Sequence, residues 1–393
     1  MRLSTRATNV SPSATLAISR KAKELRSKGI DVIGFGAGEP DFDTPAHIAA
    51  AAALAVTSGD TRYAPSKLPE LHSAVCEAVR EATGVSYTPK QVLVSCGAKH
   101  TLYNVMQALI DPGDEVILFA PYWVTYPEQV ALAGGRPVIV ETSVEDDFAP
   151  DLEAVRAAIT GRTRAIIVNS PSNPCGSVYG ESVLEGLAAI AVEHDLMVVS
   201  DEIYDRLTYD GRPHRSILEC GAGMAERTVY VNGPSKTYAM TGWRLGWALG
   251  PEPLISAMAD LQDHCTSNPA SFAIAGCVEA LTGPQDCVEA MRAEFEQRRD
   301  FMYGRLSSMS CCRVSKPRGA FYALPDFSPI MGTTRAGVTI QDSMDLAGFL
   351  LEHAGVALVP GTPFGAPTSA RLSFATSMAH IEEGLDRIER ALC

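Results

Sequence analysis

Between about residues 90 and 250 the chain alternates short runs of β-branched and aliphatic residues with stretches of helical periodicity. "QVLVSC" is followed by "KHTLYNVMQALI", "DEVILFA" by "VTYPEQVALA" and "TRAIIVNS" by "ESVLEGLAAIAVEHD"; "LMVVSD" and "RTVYVNG" come next. Runs that are apolar at every position, not at every second one, need cover on both faces, and the intervening helices supply it. The pattern predicts an α/β fold around a mostly parallel sheet. In such sheets chemistry gathers at the carboxyl ends of the strands. After residue 285 a long charged helix, "CVEAMRAEFEQRRDFMYGRL", leads to shorter strands ("AFYAL", "VALVP", "ARLSFA") and a last helix, "MAHIEEGLDRIERAL". That change predicts a second, smaller α+β domain. The expected division is an arm and part of the small domain in 1–45, a large domain in 46–285 and a small domain in 286–393.

Composition removes several classes of function. The 393 residues carry a formal net charge of −13 without a basic run, which argues against nucleic acid as a partner. No apolar run approaches the ~20 residues that span a bilayer. The N-terminus has no acid before Glu24, a faint likeness to a transit peptide, but lacks the apolar stretch of a secretory signal. Ten scattered cysteines without a C-x-x-C pair suggest reduced thiols in a cytoplasmic protein. No zinc signature occurs, so no metal is expected, and there is no G-x-S-x-G elbow. "GFGAGEPDFDTP" contains G-x-G-x-G but runs into Pro40 and acids where a dinucleotide loop would open a helix. It reads as a loop that lets backbone approach a ligand.

Four strand-end features remain. They are "NSPSNPCG" with Asn173, "SDEIY" with Asp201 and Tyr204, "CGAKH" where a strand turns into a helix, and "GPSKTYAMTGWRLG" with Lys236 and Arg244. Singly, each has a structural explanation: a turn, a helix cap, a tight glycine, a solvated lysine. Together they sit at the ligand-binding ends of strands in one predicted sheet. The chemistry that needs these residue types is that of pyridoxal phosphate (PLP). Its aldehyde requires a lysine amine and its ring nitrogen an acidic partner. Its phosphate requires backbone N–H groups at a helix start and an arginine.

On these residues the chain resembles the fold-type I, class I aminotransferases, in particular the bacterial aspartate aminotransferase subgroup. The resemblance runs nearly end to end, from "PSATLAISRKAKELRSKGIDVIGFGAGEPDFDTP" through "DPGDEVILFAPYWVTYPE" and "SDEIY" to "ARLSFATS". The series Asn173, Asp201, Tyr204, Lys236, Arg244, in steps of 28, 3, 32 and 8, is similar to that family's cofactor set. The resemblance implies a seven-stranded, mostly parallel sheet in the large domain, and a homodimer with shared active sites. "PSAT" resembles the start of the mature enzyme's arm, which argues against a long transit peptide.

Carried over, the resemblance makes Lys236 the covalent anchor and proton carrier and pairs Asp201 with the ring nitrogen. Asn173 and Tyr204 would serve the ring's phenolic oxygen, and Trp123 would stack on the ring. Gly97, Ala98, Lys99, Ser235 and Arg244 fall to the cofactor set, with Tyr63 of a second copy reaching the phosphate. Arg371, Gly38, Asn173 and Trp123 would bind the substrate at its α-carboxylate end, and Lys99, with Ser13 and Thr15, its distal carboxylate. Two departures stand out. Gly233 occupies a position where many relatives carry a serine, with Ser235 close by to compensate. "YAPSKLPEL", which bears Tyr63 and Lys67, is one residue shorter than the subgroup's usual loop, so substrate choice can differ. The expected reaction is L-aspartate with 2-oxoglutarate giving oxaloacetate and L-glutamate. Prephenate, aromatic amino acids or alanine are alternatives, as is a PLP-dependent lyase on the same fold.

Overall fold

The computed structural model describes residues 1–10, 14–63 and 69–393. Seven of its strands form one sheet: β1 Val92–Ser95, β2 Glu115–Ala120, β3 Arg136–Glu141, β4 Thr163–Asn169, β5 Met197–Asp201, β6 Thr228–Asn232 and β7 Gly246–Leu249. Their order is β1-β7-β6-β5-β4-β2-β3. All neighbours are parallel except β7, which runs against both β1 and β6.

The uninterrupted apolarity of the inner strands follows from burial on two sides. Alternate residues of a strand face opposite ways. Val116 and Leu118 join Leu102, Val105 and Met106 of the helix Ala98–Leu109 and Ile255 and Met258 of the helix Glu252–Asp263. Ile117 and Phe119 pack on Leu184, Leu187 and Ile190 of the helix Glu181–Glu193 on the other face. Each such aliphatic side chain contributes about 1.5–3 kcal/mol when fully buried. Edge strand β3 is mostly exposed or half-buried, and its mixed composition explains why the pattern of apolar runs does not announce it. Strand β7 is likewise unannounced, because it continues the glycine- and aromatic-rich stretch that carries Lys236 and Arg244.

Register aligns the strand ends. Asn169 pairs with Asp201, Asp201 with Val231, Asn232 with Trp247, and Ser95 with Gly246. One rim of the sheet therefore carries the carboxyl ends of β1, β4, β5 and β6 together with the start of β7.

A second core lies beyond that rim. The helices Asp286–Ser308 and Met378–Leu392 enclose Phe295, Met302, Leu306, Ile381 and Leu385 against Phe321, Phe327 and Phe374. A small antiparallel sheet completes it, with β8 Tyr322–Ala323, β9 Val359–Pro360 and β10 Ala370–Ser373 in the order β9-β10-β8. The early segment Ile33–Gly34 pairs in parallel with Val356–Ala357, so the chain begins on this core before it builds the large sheet. Among the described residues no helix is long and apolar enough to cross a membrane. All ten cysteines are free thiols.

Candidate active site

At the aligned rim, against the second core, lies a cavity of about 250 Å³. Gly38, Ala98, Lys99, Trp123, Asn173, Asp201, Tyr204, Ser235, Lys236, Arg244 and Arg371 all line it. Asp201 is the last residue of β5, and Lys236 lies in the short helix Pro234–Thr237 directly after β6. Asn173 follows β4 and is held when its N–H donates to Asn169 Oδ1 at 2.9 Å. Lys236 Nζ donates to the carbonyl of Gly38. Asp201 accepts from Tyr126 Oη at 2.7 Å and from the Ile203 N–H at 3.3 Å. From the second core, β10 contributes Arg371, whose guanidinium donates to Asn173 Oδ1 at 2.9 Å and to Gly36 O at 3.3 Å.

Residues 30–388 match the family described as aminotransferase class I and II. An aspartate aminotransferase of Geobacillus stearothermophilus is 48% identical over 391 residues, which are 99% of this chain and 98% of that one. An aspartate/prephenate aminotransferase of Thermus thermophilus is 47% identical over 394 residues, again 99% and 98% of the two chains. A solved structure of the Thermus thermophilus aspartate aminotransferase with maleate superposes with a TM-score of 0.94 at 47% identity, covering 100% of both chains.

This chain belongs to the class I and II aminotransferases.

Members of this family use PLP, and the residues at the site fit that group. Gly97 precedes the helix Ala98–Leu109 with φ 91°, and no side chain caps the first N–H groups there. A Cβ at Gly97 would lie 2.5 Å from Arg244 Nη2, so only glycine lets the guanidinium come down on this turn. Arg244 itself holds a left-handed φ of 57° and donates through Nη1 to Thr241 O at 2.8 Å. Uncapped amides beside a guanidinium make a seat for a phosphate. At Gly233 a Cβ would meet Leu245 O at 2.9 Å, so in this chain the position is filled to the backbone. Ser235, buried and on the cavity wall, is the nearby hydroxyl.

The charges of this aminotransferase are unbalanced in a way that suits the same group. Burial drives the Lys236 amine down from 10.5 to about 8; nearby Glu39 opposes this, and Arg371 and Arg244 add to it. More of the amine is then neutral and nucleophilic near neutral pH. Burial raises the Asp201 carboxyl to about 6 against the pull of its Tyr126 and Ile203 hydrogen bonds. Burial, then Tyr322, holds the Tyr204 hydroxyl well above its ordinary value; the two phenols lie 3.1 Å apart. Arg371 is 2% exposed, sits 4.4 Å over the Tyr322 ring and 5.3 Å over that of Phe364, and leaves its Nε without a partner among the described residues. None of the described carboxylates pairs with it. A buried guanidinium without a counter-charge calls for an anionic ligand.

The other expected residues divide. Lys99 occupies an exposed position with Nζ 4.9 Å over the Trp123 ring, and Trp123 meets Tyr126 edge-on at 5.4 Å. Partial burial, then Arg244, lowers the Lys99 amine. Tyr63 does not line this cavity; it is 93% exposed and lines a separate hollow with Asn268 and Phe272. Ser13 and Lys67 lie outside the described residues, as does the side chain of Thr15. Sequence reasoning missed Tyr126, Tyr322 and Asn169, all of which line the cavity. Tyr126 stands three residues after Trp123 in the quoted "PYWVTYPE", but nothing in its apolar setting separates it from a core aromatic.

Proposed function

We propose that this aminotransferase carries PLP on Lys236 and transfers the amino group of L-aspartate to 2-oxoglutarate, giving oxaloacetate and L-glutamate. The observation that carries the reading is the cavity that joins a buried, weakly basic lysine, a buried acid and a buried guanidinium without a carboxylate partner among the described residues. When bound, PLP supplies a ring that withdraws the electrons of the bond broken at the substrate Cα.

The chain's own groups do the rest. Lys236 would hold the cofactor covalently and, once released, would be the amine that carries the proton taken from the substrate Cα. Asp201 would pair with the ring nitrogen and favour its protonated form. Asn173 and Tyr204 would hold the ring's phenolic oxygen, and Trp123 would stack on the ring. Gly97, Ala98, Ser235 and Arg244 seat the phosphate. Arg371, with the Gly38 N–H and Asn173, grips the α-carboxylate. Lys99, helped by Ser13 and Thr15, is the cation for the distal one. Tyr63 completes the phosphate seat of a second copy, so the active form is a cytoplasmic homodimer with an arm, a large and a small domain divided near residues 45 and 285.

Aspartate is supported by the relatives' names and by the cation at the cavity mouth. Prephenate is the second reading, because the Thermus relative carries it in its name. Borohydride reduction of the cofactor-loaded protein, followed by peptide mass spectrometry, is expected to find the cofactor on Lys236. A panel of aspartate, glutamate, alanine, phenylalanine and a prephenate acceptor, read by oxo-acid formation, separates the substrates. Attachment elsewhere, or no turnover with any dicarboxylic donor, overturns the proposal.

A further inference from the structure

Glu202 follows Asp201 but turns its carboxylate away from the cavity. It is 1% exposed and takes no part in lining the site. Its Oε1 accepts from Ser200 Oγ at 2.7 Å and Ser216 Oγ at 2.6 Å, and its Oε2 accepts from His214 Nε2 at 2.5 Å. The geometry follows from the strand period carried one residue past β5: Ser200 and Glu202 point to one side while Asp201 points to the other. Ser216 is itself fixed as the cap of the turn Ile217–Glu219, accepting from the Leu218 N–H at 3.2 Å. The backbone of Glu202 is tied too, its N–H to Val231 O at 2.9 Å and its carbonyl to the Asp205 N–H at 3.0 Å. The segment that presents Asp201 and Tyr204 to the cavity is thus held from behind by one buried carboxylate.

An uncharged side chain of the same size would serve as a staple equally well, since buried ion pairs add little stability over neutral packing. A negative charge one peptide from Asp201 does something a neutral group cannot. In a low-dielectric interior it makes the neighbouring carboxylate a stronger base. We propose that Glu202 is a positioning residue for amino transfer. Held by Ser200, Ser216 and His214, it fixes the Asp201–Tyr204 segment, and its charge strengthens Asp201's hold on a protonated ring nitrogen. His214 sets how much of that charge is felt. The inference rests on the role proposed above for Asp201. Two shifts agree with it. Glu202 adds to the rise of Asp201, after burial. His214 lies above its ordinary value although burial opposes this, because Glu202, Asp205 and Glu219 face it. The hollow beside His214 also holds Arg206, Asp286, Glu289 and Arg292.

The test uses the dimeric protein loaded with PLP labelled with ¹⁵N at the ring nitrogen, whose NMR shift against pH reports directly on that nitrogen's proton. Glu202→Gln is expected to lower the pH at which the proton leaves by about one unit. It should also cut kcat about ten-fold while KM changes less than about two-fold. Glu202→Asp, which keeps the charge, restores the titration. His214→Gln removes the opposing cation and moves it the other way. An unmoved titration in Glu202→Gln, equal shifts in Glu202→Gln and Glu202→Asp, or shifts of one sign in Glu202→Gln and His214→Gln overturn the inference. If Glu202→Gln does not fold, the direction of the His214→Gln shift decides. Asp201→Asn locates the failure. If it leaves the titration in place, the role of Asp201 is wrong; if it moves the titration and Glu202→Gln does not, only the role of Glu202 is wrong.

Discussion

Two carboxylates stand at opposite ends of the same sheet, both with almost no exposure, and they are treated in opposite ways. Glu115 opens β2 and is surrounded by Arg136 Nη2 at 2.5 Å, Arg162 Nη2 at 3.0 Å and Thr160 Oγ1 at 2.7 Å. Its hydrogen bonds with Arg136 and Thr160, against the cost of burial, hold it at about 2. Asp201 closes β5 with one phenol and one backbone N–H, and stands at about 6 because burial outweighs them. Two buried arginines repeat the contrast. Arg299 meets Asp210, Glu296 and Asp300, whereas Arg371 meets no acid among the described residues. Glu115 and Arg299 have their charges met within the fold, whereas Asp201 and Arg371, which line the cavity, leave theirs for a ligand to complete.

The contrast can be broken by substitution, starting with the largest effect on turnover. Lys236→Ala is expected to abolish covalent cofactor attachment and to slow transamination at least about 10⁴-fold, read by oxo-acid formation. Near-normal turnover would remove the centre of the site. Asp201→Asn should cost roughly 10³-fold in kcat while the ligand-free protein loses no stability. Its carboxyl rises from 3.8 to about 6 on folding, so the folded form binds more protons between those values. Raising the pH through that window therefore costs stability. Melting temperatures of the ligand-free protein across pH 4 to 6.5 should fall in wild type and stay flatter in Asp201→Asn. Lys99→Ala should lower kcat/KM for aspartate and glutamate by roughly 30- to 1,000-fold and leave alanine and phenylalanine nearly unchanged. A uniform loss over all donors would instead tie Lys99 to the cofactor.

The smallest effect on turnover belongs to Glu115→Gln, which should leave kcat as it is and destabilise the fold by about 1–3 kcal/mol. The loss is moderate because Arg136 and Arg162 remain largely in water. Its pH dependence has the reverse sign to that of Asp201. The contribution is complete above the ordinary value of 4.5 and disappears as the pH falls toward about 2. A kcat loss in Glu115→Gln as large as that in Asp201→Asn would erase the distinction between the two ends.

The inner strands were legible because burial on both faces demands unbroken apolar runs, and β3 and β7 were not because one is an edge and the other begins at a glycine. Asn173, Asp201 and Lys236 were legible only in combination: each polar residue at or just after an apolar strand has a structural explanation, but together they fall on the ligand-binding rim of one sheet. Arg371 came from the resemblance, and its setting inside the apolar "ARLSFA" agrees with it. Tyr126 and Tyr322 were hidden because an aromatic in an apolar stretch earns its place by packing alone, and only the fold shows where its hydroxyl points. Glu202 was hidden by its neighbour. Adjacent acids in "SDEIY" look like one polar turn until the strand sends them to opposite faces. The helix Ala14–Ser27, through Ala22 on Leu351 and Ala357, and the pairing of Ile33–Gly34 with Val356–Ala357 rest on contacts with residues more than 300 positions away, beyond the reach of local pattern.

The reversed strand β7 fixes a length. A strand that runs against its neighbours starts where they end, so the chain leaving β6 at Asn232 need only cross the rim to enter β7 at Gly246. Lys236 and Arg244 lie on that crossing like two marks on a chord, and the sheet clamps both of its ends. Had β7 been parallel, the chain would have needed a helix-long detour to the far edge before returning, and the amine and the guanidinium would have been carried by separate elements free to drift apart over generations. As built, one short connection between two paired strands carries both the amine and the guanidinium.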